Sequence, residues 1–141
     1  MASNKHKAFK VLLWFVAIYH ILIGSLGVFA KGTVVAVANN FFNFNLTATD
    51  QVLWIINPFA TYLLFFGVFM GVAATNPEKY RNLIYAGVGL FAVRVIQRII
   101  FVIDAPEGLI VNADPIRNII FIAVVASLGS LMFILAKKKL R

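Results

Sequence analysis

The stretch "FAVRVIQRIIF" (residues 91–101) sets two arginines and a glutamine in an otherwise apolar run. Arg94 and Arg98 are four residues apart, so on a helix they share a face, with Gln97 beside them. A guanidinium stays charged, offers only N–H donors and accepts nothing, so this face suits a carboxylate, a phosphate, a carbonyl oxygen or a neutral ring nitrogen. His20 in "WFVAIYHILIG" and Asn57 in "IINPFATY" add hydrogen-bonding groups within long apolar runs. A histidine there transfers a proton, accepts a bond, or ligates haem or a pigment. The only other histidine, His6, lies in the basic amino-terminal tail, so bis-histidine haem within one chain is excluded. A quinone or five-coordinate pigment contact through His20 has no second motif behind it, and a hydrogen bond to another helix is expected instead. No cofactor is implied. With no cysteine, thiolate chemistry and cysteine-ligated metal are ruled out. No metal-binding motif, nucleophile triad or phosphate loop appears, so the expectation is a protein that is not an enzyme.

Four apolar segments must position these groups: residues 11–30, 52–74, 83–103 and 116–136. Each is about 20 residues, the length needed to cross roughly 30 Å of hydrocarbon as a helix. The chain is 62% hydrophobic and 13% charged, with mean hydropathy +0.91. Soluble domains average about 45–50% apolar and about 25% charged residues. No segment has a polar face wide enough for a soluble bundle. The reading is therefore one all-α integral membrane domain over residues 1–141, a bundle of four transmembrane helices.

At 1.5 Å per residue, Arg94 stands roughly 16 Å and Arg98 roughly 22 Å from the start of the third segment at Leu83. The same arithmetic puts His20 at about the depth of Arg94 and Asn57 at about that of Arg98. An arginine at the centre of a span costs at least about 2.5–3.5 kcal/mol on insertion scales, so it needs water, a snorkelling route or a partner. No acid lies within any of the four segments.

The net charge of +8 does not point to nucleic acid, because the cations flank the apolar segments. Lys5, Lys7, Lys10, Lys79, Arg81, Lys137, Lys138, Lys139 and Arg141 fall on one side, and Lys31 and Arg117 on the other. That bias places both termini in the cytoplasm, with the basic tail touching anionic lipid. Asp50, Asp104, Glu107 and Asp114 fall on the outer side. The link "KGTVVAVANNFFNFNLTATDQ" is amphipathic and is expected to lie along the membrane interface between the first two spans. Thr47 with Asp50 resembles a capping box, Asn76 with Pro77 a cap for the third span, and Asp114 with Pro115 a cap for the fourth. Gly67 with Gly71, and Gly24 with Gly27, offer small faces for close helix packing, as do Ala123, Ser127 and Ser130.

Three roles suit the polar residues. Arg98 snorkels to Asp104 or lipid phosphate while Arg94 ties one helix to another; or the arginines face another membrane subunit; or His20, Asn57, Arg94, Gln97 and Arg98 contact a quinone-like or anionic ligand. A transporter is disfavoured, since four spans leave little room for a path.

The stretches "WFVAIYHILIG", "NPFATYLLFFG" and "NPEKYRNLIYAGVGLFAVRVIQR" resemble the small bacterial four-span proteins of the DoxX-like group. The resemblance implies a bacterial inner-membrane location and, for some members, work beside quinone-linked oxidoreductases. It supplies no catalytic residues. The expected function is a small non-catalytic accessory subunit of a larger membrane complex, respiratory or redox in kind, with other membrane subunits and anionic lipids as partners. The alternative is a stand-alone quinone- or anion-binding protein.

Overall fold

The structure, a computed structural model, describes residues 2–103 and 114–137. Asp104 and Glu107 lie outside the described residues, as do Lys138, Lys139 and Arg141. The described chain is all helical: α1 (Ala2–Phe29), α2 (Lys31–Phe42), α3 (Asp50–Thr75), α4 (Arg81–Ile103) and α5 (Pro115–Lys137). α1, α3, α4 and α5 are long and apolar enough to cross a membrane, consistent with a multi-pass membrane protein.

α1 lies along α3 over the longest stretch, and the sequence explains why. A Cβ on Gly24 would strike the Leu64 backbone and the Ala60 carbonyl oxygen, and one on Gly27 would strike the Ala60 side chain. Reciprocally, a Cβ on Gly67 would stand 2.7 Å from the Ile21 nitrogen and 2.8 Å from the Ala17 oxygen. Gly71 faces Trp14 and Ala17. Gly24 and Gly67 thus each bring the partner helix's backbone close, while Gly27 and Gly71 meet side chains, an antiparallel contact of the small-residue kind that packs helices in membranes. α4 and α5 form the second extensive pair, with Gly129 against Phe91. The two pairs meet over shorter stretches, α3 with α4 and α1 with α5. One core joins all four, built from Phe9, Leu13, Phe66, Met70, Ile84, Phe91, Val125, Met132 and their neighbours. Among the described residues the backbones of α1 and α4, and of α3 and α5, do not approach each other, so these are the diagonals of the arrangement.

α2 packs on α1, α3 and α5 at the end away from the α3–α4 turn. Its last turn passes into Asn43, at φ 57° in the left-handed region, and Asn39 clamps the following loop through bonds to the Leu46 nitrogen and oxygen. Arg117 Nη1 donates to the carbonyls of Asn40 and Phe41, satisfying acceptors left open at the helix end. The Asp114 nitrogen bonds the Phe42 carbonyl, which joins the end of α2 to the start of α5.

Asp114 caps α5 by accepting from the Ile116 and Arg117 nitrogens, and it pairs with Arg117 Nε at 3.0 Å. Elsewhere the caps differ from the sequence pattern. The α3 cap is Thr49, adjacent to the first helical residue, rather than Thr47. Asn76 ends α3, and its Oδ1 accepts from the Lys79 nitrogen within a turn, so α4 begins at Arg81 rather than at Pro77. Asp114→Ala removes two capping bonds and the ion pair together. We expect it to cost about 1–2 kcal/mol, with Asp114→Asn keeping most of that. Unfolding by sodium dodecyl sulfate in mixed micelles reads this, and an unshifted alanine variant would contradict it.

Candidate functional site

His20 continues the buried stripe of α1 formed by Phe9, Leu13, Val16, Ala17, Gly24 and Gly27. Its side chain is 3% exposed and stands among Phe66 (centroids 4.7 Å apart), Phe91 (5.8 Å) and Tyr19 (5.2 Å). Nδ1 lies 2.7 Å from the Val16 carbonyl oxygen, and Nε2 lies 2.9 Å from Arg94 Nη1. A carbonyl only accepts and a guanidinium only donates, so the geometry assigns the ring proton to Nδ1 and the free lone pair to Nε2. Protonating the ring would place a donor against a donor. Arg94 and His20 therefore tie α4 to α1 across a diagonal that no backbone contact bridges.

The Arg94 guanidinium has three aromatic neighbours, Phe66 at 5.7 Å, Tyr62 at 5.8 Å and Phe91 at 6.0 Å from its carbon. Such ring faces contribute on the order of 0.5–2 kcal/mol each, according to how far they are desolvated. Its Nη2 is buried and has no hydrogen-bond partner among the described residues. An unmet donor of this kind costs about 1–3 kcal/mol, more when it is charged.

One helical turn further on, Arg98 takes different neighbours. Its guanidinium is held by the Phe121 ring at 4.3 Å and the Phe42 ring at 4.7 Å, and Nη1 donates to Asn118 Oδ1. Asn118 is 2% exposed, and its Nδ2 returns to the Asp114 carbonyl. Arg98 thereby joins α4, α5 and the end of α2. Among the described residues the one ion pair is that of Arg117 with Asp114, so neither Arg94 nor Arg98 meets a described carboxylate.

The residues singled out by depth and spacing therefore divide. His20 meets Arg94, while Arg98 meets Asn118. Gln97 is exposed, because three residues further along the helix is a rotation of about 60° away from Arg94. Asn57 is exposed as well, and its carbonyl accepts from the Thr61 hydroxyl. Ile56, partly buried, carries the inner stripe of α3 at that level. Asn118, Phe42, Phe121, Tyr62, Phe66 and Phe91 complete the two arginine environments. Asn118 was legible as an amide at the start of the fourth apolar segment, but nothing distinguished these aromatics among the 14 phenylalanines and 4 tyrosines of the chain.

Chemically, the arrangement offers donors and one oriented imidazole. A surface groove at the start of α3 beside Asp50 and Trp54 and another between α4 and α5 are lined by neither His20 nor Arg94 nor Arg98. Comparison with family models, with curated proteins and with solved structures found no match.

Proposed function

We propose that the chain is a small non-catalytic accessory subunit of a larger membrane complex. In this reading α1, α3, α4 and α5 cross the bilayer as a bundle with both termini in the cytoplasm, and α2 lies along the outer interface. The uneven distribution of lysine and arginine supports the orientation, and the packing of α2 at the end away from the basic α3–α4 turn supports its place. The resemblance to the DoxX-like group suggests a bacterial redox assembly as the setting.

One observation carries the reading. The small faces of α1 and α3 are used up against each other, whereas Ala123, Ser127 and Ser130 of α5 are exposed. Beside them runs a groove of about 520 Å³ between α4 and α5, lined in part by Ala92, Ala126 and Gly129. In hydrocarbon, such a face lets a second helix approach closely and gives the serine hydroxyls an acceptor. The arginines are not needed for this contact, since Arg94 bonds His20 and Arg98 bonds Asn118 within the chain.

The test is native mass spectrometry after gentle detergent extraction. We expect fixed stoichiometry with larger membrane proteins, and dissociation when Ser127→Leu and Ser130→Leu are combined. A wild-type chain that elutes alone would end the reading. A second reading, a stand-alone ligand-binding protein, draws on a different observation, the unpaired Nη2 of Arg94.

A further inference from the structure

Arg94 raises a problem of charge. Its guanidinium lies between α1, α3 and α4, against three aromatic rings, with one terminal nitrogen satisfied by His20 and the other buried without a partner among the described residues. Arg98 stands four residues away, so two cations share the interior with no described carboxylate beside either. The cost of one unmet charged donor, and of two cations with no described carboxylate beside them, falls sharply if a single anion joins them.

We infer that Arg94 holds an oxyanion, a carboxylate or a phosphate, on its Nη2. The charge favours an anion over a neutral carbonyl compound, and a planar guanidinium nitrogen favours an oxygen acceptor. The Nη1–His20 bond fixes the guanidinium plane, so the free nitrogen is already oriented when the anion arrives. Tyr62 is the entrance: its ring lies over the guanidinium from α3 and is 39% exposed, one turn beyond the buried Phe66. A headgroup passes there after a rotation of that ring. A partner helix, about 10 Å across, does not. The anion is either the head of an acyl-chain amphiphile from the bilayer or a small free ion. This inference stands or falls with Arg94, whereas the accessory-subunit reading stands or falls with the exposed face of α5.

The test uses the full chain, delipidated in detergent, with three probes: oleate, dioleoyl phosphatidate and inorganic phosphate. Native mass spectrometry should show one anion per chain, with dioleoyl phosphatidylcholine as the zwitterionic control that is not retained. Uptake of oleate or phosphatidate alone identifies a bilayer source, and uptake of inorganic phosphate identifies a free ion. Arg94→Gln should weaken uptake at least tenfold. Tyr62→Glu supplies a carboxylate from the chain itself at an exposed position, and should displace the anion to a similar degree while the protein stays folded. Lys79→Gln, at the exposed α3–α4 turn, should leave uptake unchanged. Should Arg94→Gln fail to fold, Tyr62→Glu decides. A wild-type chain that takes up none of the three probes overturns the inference, as does undiminished uptake by Tyr62→Glu.

Discussion

Gly24→Leu is expected to abolish the folded protein in detergent. A Cβ at this position meets the Leu64 Cα at 2.7 Å and the Ala60 carbonyl oxygen at 2.9 Å, and it meets the Leu64 nitrogen closer still. All three are backbone atoms in the middle of α3, so no rotamer change relieves the contact and the helices must separate. Separation then withdraws Gly27, Gly67 and Gly71 from their own contacts, because all four belong to one antiparallel interface. The loss should be at least about 3 kcal/mol, the upper end of ordinary overpacking in a well-packed core. Gly89 is the matched control, since a Cβ there has nothing within 4 Å. Gly89→Leu should unfold at the wild-type concentration of sodium dodecyl sulfate. Equal stability of the two variants would show that α1 and α3 do not pack by their glycines.

His20→Leu is the second large effect. It removes the acceptor for Arg94 Nη1, leaving both terminal nitrogens of a buried cation without partners. The expected cost is about 2–3 kcal/mol, the penalty for stranding a buried charged donor. Adding Arg94→Leu should recover most of that cost, because replacing both partners with apolar groups removes the stranded charge as well as the bond. The double-mutant cycle measures this coupling directly. Additive losses would show that the two side chains do not meet.

The four long helices were legible in the sequence because a span needs about 20 apolar residues whatever surrounds it, although α1 begins at Ala2, well before its apolar segment. Helix rotation was harder to see. When nearly every residue of a segment is apolar, hydrophobic periodicity does not mark an inner face; depth placed Asn57, and spacing Gln97, with the arginines, although both are exposed. The small residues held the missing information. His20, Gly24 and Gly27 are spaced four and three apart, so the face that α1 turns to α3 also carries the histidine. Gly87, Phe91, Arg94 and Arg98 follow the same spacing on α4, with Gly87 close to Met70. The aromatic surroundings of Arg98 could not be read in advance, because Phe42 reaches it from a different helix through the turn of chain at the end of α2.

The oxyanion site and the tie between α1 and α4 both require that Arg94 point inward, at His20. The direct measurement is solid-state nitrogen NMR of the protein in lipid bilayers, with histidine and arginine labelled. We predict a neutral His20 ring protonated at Nδ1, with Nε2 accepting a hydrogen bond and a dipolar coupling that places it about 3 Å from an arginine nitrogen. Loss of that coupling in Arg94→Gln would assign the partner. A ring protonated at Nε2, or one with no arginine nitrogen in range, would contradict the account.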